Sequence, residues 1–520
     1  MRTSARGDAA VVPRDCSRAM QEARAELRRV ARLGCLAIIA LGGAGGAGAQ
    51  GAARHDAQIR EADIRRDLFT MAGESFRGRE AGTVDELRAS MWVAEQARAA
   101  GLKPAGEHGT YFQWWPLRRI RVAGTSRVVL GGASVPMWAD AVPTAVTDAI
   151  VTAPVVWLGE GGPASDAMDV KGMVAVAMVQ PPSNPPGPNV SLRSFRYARL
   201  ALAQTGARLT ARGAAAVILV ADSTTEAAME FLGVVQQRGT YGLDTAGAVT
   251  RPRAATPVIV MRRAWMERAK AAAQATVELR SESFVYPSVN VVATAPGSDP
   301  ALRDEYVLFS SHQDHDGVRF PVNGDSVWSG ADDNASVSVA LLAIGRAWAV
   351  APGKRSALFV WHGAEERGLL GSRWHAANPV VPRERIVAVL NGDMIGRNHP
   401  DTAALLGSQP PHLNSRSLVA MALEANRQTA KFAIDSSWDR PDHPEGFYFR
   451  SDHMPYARVG IPAVFYTTML HPDYHTPRDK PTTIDVPKVT RVARWMDRTG
   501  WLVANAKERP RLEPGFRLER

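Results

Sequence analysis

A chain of 520 residues with 45% apolar content can bury a large core, and its length fits two or three domains or one large α/β domain carrying an insertion. That composition excludes an extended disordered chain. The formal charge of +10 is scattered, without basic runs or interleaved aromatics, so nothing resembles a nucleic-acid footprint.

The first fifty residues differ in kind from the rest. An arginine-rich run through Arg28, Arg29 and Arg32 leads into Leu33 to Leu41 and then a Gly/Ala tract ending Ala47-Gly48-Ala49. This order reads as a secretory signal peptide over residues 1–49, cleaved after Ala49, and the long basic segment fits a natural start at Met20. Removing its eight arginines and four acidic residues lowers the charge from +10 to +6. The apolar run is too short to cross a bilayer, so no stable membrane span is expected after cleavage, and the expected location is periplasmic or secreted. Cys16 and Cys35 are the only cysteines and both precede the cleavage point. The mature chain therefore needs no disulfide and cannot use cysteine as nucleophile or metal ligand. Cys35 stands before the apolar stretch, behind Arg32-Leu33-Gly34, which argues against a lipoprotein anchor.

Residues 50–130 open with helical spacing: Ile59, Ile64, Leu68 and Met71, then Met91, Val93, Ala97 and Ala100. Two helices are expected on either side of the turn Arg77-Gly78-Arg79. Residues 131–285 read as a separate small β-rich or α/β unit. Short apolar runs (Ala149-Ile150-Val151, Val155-Val156-Trp157, Met173 to Val179, Gly213 to Val220) are parted by turns and by a proline-rich loop, Pro181 to Pro188. From 286 to 508 the rhythm becomes strand, helix, strand: Val289 to Ala293, Tyr306 to Ser310, a helix from Ala335 to Val350, Ala357 to Trp361, Ile386 to Leu390, and Ile461 to Tyr466. Continuous apolar strands alternating with helices predict an α/β fold with a mixed, mostly parallel central sheet flanked by helices. Residues 509–520 form a C-terminal tail.

Acidic and histidine residues collect where these strands end, the place where such sheets gather functional groups. Glu365 and Glu366 follow Ala357 to Trp361; two adjacent carboxylates at the end of a core strand need a cation, and one can hold a metal while the other moves a proton. In Ser311-His312-Gln313-Asp314, His312 can ligate while Asp314 orients its other ring nitrogen. Gly330-Ala331-Asp332-Asp333-Asn334 precedes a helix; a lone aspartate there would be an N-cap, but two are accounted for if Asp332 bridges two ions and its neighbour caps. Asp393 follows Ile386 to Leu390, and His475 follows Tyr474, whose phenol can donate to a developing oxyanion. His312, Asp332, Glu366, Asp393 and His475 together offer five N and O ligands. Such a mixed set suits zinc, and a shared carboxylate suits two ions about 3.5–4 Å apart.

Taken in order, His312-x-Asp314, Gly330-Ala331-Asp332-Asp333-Asn334-Ala335-Ser336, Gly363-Ala364-Glu365-Glu366-Arg367-Gly368-Leu369-Leu370-Gly371-Ser372, Asn391-Gly392-Asp393-Met394-Ile395-Gly396 and Tyr474-His475-Thr476-Pro477 resemble metallopeptidase family 28, the co-catalytic zinc aminopeptidases. Ser451-Asp452-His453 and Gly460-Ile461-Pro462 add to the likeness, which runs from about Ser288 to Asp485. The resemblance implies a zinc-exopeptidase (phosphorylase/hydrolase-like) fold and two Zn2+ per chain. It assigns His312 and Asp393 to one ion, Glu366 and His475 to the other, Asp332 as the bridge, Glu365 as general base, Tyr474 as oxyanion donor and Asp314 as support. It also implies a strained peptide after the bridging aspartate. Through Asp169-Val170-Lys171-Gly172 and Gly213 to Val220, residues 131–285 resemble a protease-associated (PA) domain that would cover the cleft.

The expected substrates are peptides or proteins with a free N-terminus. A family carboxypeptidase stays open through Arg397, Arg440 or Arg450, as do a single-zinc glutaminyl cyclase and a metal-free receptor-like protein. His315, His362, His453 and His471 are read as supporting or structural. Trp114-Trp115 and Met469-Leu470 fit either a specificity pocket or core packing.

Overall fold

A computed structural model describes residues 55, 57–245, 255–322 and 324–519. The signal peptide, the start at Met20 and both cysteines lie outside the described residues. Among the described residues no helix is long and apolar enough to cross a membrane.

The main sheet is built around four parallel strands, Tyr306–His312, Ser356–His362, Ile386–Gly392 and Ala463–Thr467, in the spatial order Ala463–Thr467, Ile386–Gly392, Tyr306–His312, Ser356–His362. Their residues are buried almost without exception, as expected for strands covered on both faces. The flanks are antiparallel: Ser281–Ala295 borders Ser356–His362, and Thr402–Leu406 borders Ala463–Thr467. Parallel pairing runs through the centre of the sheet and recurs at its edge, where Thr402–Leu406 pairs with Ala433–Ile434, so the sheet is mixed as the apolar runs predict. The expected strands extend by one or two residues toward the site, so that His312 itself closes its strand.

The helix Ser336–Val350 is apolar nearly all round and packs under the sheet with Val486–Asn505 and Glu61–Met71. Thr83 caps the second N-terminal helix, Val84–Ala99, by accepting from the Asp85 and Glu86 amides. Between these two N-terminal helices Arg79 is fully buried. Its guanidinium donates to the carbonyls of Met71 (2.9 Å), Gln313 (2.7 Å), Ser329 (2.7 Å) and Gly330 (2.9 Å), stapling the early turn to two loops of the site.

The segment between the two halves forms its own sheet from residues 127–279. Strands Ala149–Trp157, Val174–Met178, Ala216–Val220 and Val258–Met261 run parallel, with antiparallel strands at both edges. Helices Arg193–Ala211 and Ser223–Arg238 cover one face, so the unit is α/β rather than mainly β. It leaves and rejoins through one long antiparallel ladder, Phe112–Val122 against Ser281–Ala295, and its strand Thr240–Leu243 adds to that ladder beside Leu117–Ile120. Residues 510–519 pack back onto the body, with Glu513 bonded to Arg416 and Glu519 to His412.

Glu86 yields one expected result on stability. It is fully buried and accepts from the Gly82 amide (2.5 Å) and the Ser288 hydroxyl (2.7 Å). Burial, aided by the nearby Asp314 carboxylate, pushes its carboxyl up to about 8 from an ordinary value of 4.5. The folded chain therefore holds this proton more tightly than the unfolded one. The Glu86 contribution to stability is present below pH 4.5, declines as pH rises to about 8, and is then flat. Melting temperatures at pH 5, 7 and 9 are expected to fall more steeply for the native chain than for Glu86→Gln; parallel curves would refute this.

Candidate metal centre

Five loops deliver the site, four of them beyond the carboxyl ends of the parallel strands. His312 ends its strand; Glu365 and Glu366 follow Ser356–His362 after the left-handed Ala364 (φ 52°), which turns the doublet inward. Asp393 follows Ile386–Gly392, and His475, itself left-handed (φ 50°), lies in the loop after Ala463–Thr467. The fifth loop enters helix Ser336–Val350 through the turn Ala331–Ala335. Gly330 opens that turn at φ 56°, and a Cβ there would lie 2.2 Å from both the Asp333 carbonyl oxygen and the His315 ring, so this close approach requires glycine.

Among the described residues the potential ligands fall into two groups that share one residue: His312, Asp333 and Asp393, and His315, Asp333, Glu366 and His475. The shared carboxylate divides its oxygens between them. Asp333 Oδ1 lies 3.2 Å from His312 Nε2, while Oδ2 lies 3.1 Å from His475 Nε2. His312 Nε2 is 3.5 Å from Asp393 Oδ1 and 3.8 Å from Glu365 Oε2; His475 Nε2 is 3.1 Å from Glu366 Oε2.

The expectation of a bridge at Asp332 is corrected here. The turn aims Asp333 between the two histidines and directs Asp332 the other way, where its Oδ1 accepts from the Gly396 amide (2.7 Å) and its Oδ2 lies 3.4 Å from His471. Neighbouring residues in such a turn face different directions, so the doublet could not be resolved by spacing. Asp479 holds the loop by accepting from the Asp332 and Asp333 amides, and burial beside Asp332 pushes its carboxyl up to about 6. A cis peptide joins Asp333 to Asn334, directly after the aspartate shared by the two groups.

Asp314 also acts differently from its expected role. His312 Nδ1 lies 3.1 Å from the Asp314 main-chain oxygen, whereas the Asp314 carboxylate is 3.9 Å from that nitrogen and accepts instead from the Glu365 amide (3.0 Å). Asp314 thus holds the backbone of the proton-transfer candidate. Asp393 is oriented by Ser451, whose hydroxyl donates to Oδ2 (2.8 Å) and accepts from Asn391.

His315 enters the site more deeply than its reading as a supporting residue. Its Nδ1 approaches Glu366 Oε1 to 2.7 Å, out of line for a hydrogen bond. No spacing rule pointed to it, since it lies one residue beyond the His-x-Asp pair. His362 and His375 share the Tyr456 hydroxyl in the core below, and His453 stacks on Phe465, as structural readings expect. Trp115 is core, whereas Trp114 is partly exposed; Met469 and Leu470 join the apolar cluster that includes Tyr474.

Electrostatically the cavity is dominated by carboxylates. Burial would favour neutral imidazoles, but Glu365 and Asp393 around His312, and Glu366 beside His475, outweigh it and hold both rings well above the ordinary histidine value. Glu365 is driven well above the carboxylate range by burial and by Glu366, Asp393 and Asp452. Burial also lifts Asp314 to about 6 and Asp452 to about 7. Tyr474 stacks on His475, with ring centroids 3.9 Å apart, and accepts from Arg450 at 2.9 Å, which leaves the phenol hydrogen free to donate elsewhere. Burial raises that phenol to about 12, against the opposing pull of His475 and Arg450, so it stays protonated at neutral pH.

The donor set fits zinc. Among the described residues His312 Nε2, Glu366 Oε1 and Asp393 Oδ1 are buried without a hydrogen-bond partner, and imidazole with carboxylate is chemistry that zinc favours.

Imidazole and carboxylate side chains able to hold a metal ion thus gather at the strand ends of an α/β sheet. Residues 290–499 match the sequence profile of Peptidase family M28. Leupeptin-inactivating enzyme 1 of Streptomyces exfoliatus is 38% identical over 180 residues, which cover 33% of this chain and 34% of that protein. A probable leucine aminopeptidase of Arthroderma benhamiae is 28% identical over 233 residues, 42% of this chain and 58% of that protein. The chain thus spans between a third and three fifths of these curated relatives. In three dimensions it is similar to an aminopeptidase from Aneurinibacillus sp. strain AM-1, with TM-score 0.53 and 19% identity over 88% of this chain and 96% of the other. It is likewise similar to BSAP, a zinc aminopeptidase from Bacillus subtilis, with TM-score 0.55 and 18% identity over 86% and 96%. These likenesses define a shared fold.

Proposed function

We propose that this chain is an exported dizinc aminopeptidase that hydrolyses the N-terminal bond of peptides. The observation carrying the proposal is the division of the Asp333 carboxylate, one oxygen toward His312 and Asp393 and the other toward Glu366 and His475. In this reading His312 and Asp393 would hold one zinc and Glu366 and His475 the other, with Asp333 shared between the two groups. When bound, the two ions supply Lewis acidity to the scissile carbonyl and to the attacking water. Glu365 would take a proton from the attacking water and return it to the leaving amine. Tyr474 donates to the carbonyl oxygen as charge develops there. Asp314, through the Glu365 amide, keeps the base in place.

Arginine pairing favours recognition of a free amine over a free carboxylate. Arg450 is committed to Glu445 and Tyr474, Arg397 to Asp473, and Arg440 to Asp442. A carboxypeptidase would need one of these cations turned toward substrate. The segment 131–285 is proposed as a PA-like insertion that narrows access to the cleft.

The test is zinc content together with hydrolysis of aminoacyl-nitroanilides and of matched N-acetylated controls. Two zinc ions per chain and cleavage limited to substrates with a free amine are the expected results. Hydrolysis confined to peptides with a free C-terminus would replace this reading with the carboxypeptidase one, and one zinc per chain would replace it with the cyclase.

A further inference from the structure

The last residue of helix Ser223–Arg238, in the inserted unit, reaches the candidate metal centre with its side chain only 11% exposed. Arg238 Nη1 donates to Asp316 Oδ1 at 2.6 Å, and Arg367, which follows the glutamate doublet, donates to the same oxygen at 2.9 Å. Asp316 is wholly buried. Its second oxygen, Oδ2, has no hydrogen-bond partner among the described residues and lies 3.9 Å from His475 Nδ1. The other nitrogen of that ring faces Asp333 and Glu366, so Nδ1 is the one left for an outer partner. We propose that Arg238 is a positioning residue for His475: its ion pair fixes the Asp316 carboxylate opposite the outer ring nitrogen, so that the inserted unit sets the geometry of one half of the metal centre. The inference rests on the dizinc reading above.

A metal-ligating imidazole must be neutral and carry its proton on the nitrogen away from the metal, and a carboxylate opposite that nitrogen selects this tautomer and fixes the ring plane. A carboxylate buried this deeply needs compensating charge, and two guanidiniums on one oxygen supply it while leaving the second oxygen available. The 3.9 Å separation is about 1 Å longer than a hydrogen bond, so Asp316 faces the outer ring nitrogen electrostatically. The donor is also held from outside the metal loops. The Arg238 carbonyl accepts from Arg119 (2.8 Å), and the next strand, Thr240–Leu243, joins the main sheet, where the Tyr241 hydroxyl donates to Glu80. An insertion acting as a freely swinging cover would break these part-buried pairs each time it opened.

The test is a chelator-competition titration of both zinc sites in the full chain, for the native protein, Arg238→Gln, Arg238→Lys, Asp316→Asn and Arg262→Gln. Arg262 also belongs to the inserted unit, but it pairs with Glu226 and the Ala139 carbonyl, away from the centre. Arg238→Gln and Asp316→Asn are each expected to weaken one of the two ions by about 10–100-fold while the other stays within a few fold. Arg238→Lys, which keeps the charge, is expected to recover most of the loss, and Arg262→Gln to match the native protein. Native affinity at both sites in Asp316→Asn or Arg238→Gln would overturn the proposal, as would equal weakening of both ions in step with melting temperature. Should Arg238→Gln not fold, Asp316→Asn and Arg238→Lys carry the same comparison. A native chain that binds fewer than two ions would instead sink the dizinc reading beneath it.

Discussion

The Glu365→Gln protein is expected to keep two zinc ions per chain, bind substrate nearly as well as the native protein, and lose about 10²–10⁴-fold in kcat. The reasoning is geometric. Glu365 Oε2 stands 3.8 Å from His312 Nε2, at the edge of the His312 group and part of neither group, so exchanging its carboxylate for an amide removes a proton acceptor but no ligand. The main-chain bond from its amide to Asp314 survives the substitution, which preserves the local turn. Zinc content by atomic emission, together with kcat and KM on an aminoacyl-nitroanilide, reads both halves of the expectation. Loss of an ion from the variant would make Glu365 a ligand and transfer the base role elsewhere, and near-native kcat would remove it from proton transfer.

The aspartate pair offers the second large effect, and its two members are expected to behave in opposite ways. Asp333→Asn should lower the zinc content well below two per chain and abolish activity, because one carboxylate serves both ligand groups and an amide cannot present two anionic oxygens. Asp332→Asn should retain both ions. Its carboxylate supports the loop through the Gly396 amide and lies beside His471, so the cost falls on stability, roughly 1–3 kcal/mol for disturbing a buried hydrogen bond. Metal analysis and thermal melts of the two variants side by side decide the matter; zinc lost from the Asp332 variant and kept in the Asp333 variant would restore the assignment read from the sequence.

That reversal marks where reading the chain residue by residue stops being sufficient. Apolar runs located every central strand to within a few residues, because burial on both faces imprints a continuous hydrophobic stretch whatever the neighbours are. Acidic and histidine residues at the ends of those runs pointed to the centre, because charge is tolerated there only with a cation. His312, Glu366, Asp393 and His475 were legible on that ground, and the structure brings all four together.

Direction was not legible. Which of Asp332 and Asp333 faces the histidines depends on the dihedrals of one turn, and that turn is held from afar by Asp479 and by Arg79, 147 and 250 residues away in sequence at the bonds concerned. The same holds for Asp314, drawn to the Glu365 amide across 51 residues, and for Arg238, placed beside Asp316 by the docking of a separate sheet. Residue types and their local periodicity report what must be buried and what must be charged. Contacts between segments tens to hundreds of residues apart determine which oxygen meets which nitrogen, because those contacts arise from packing that no short stretch of sequence contains.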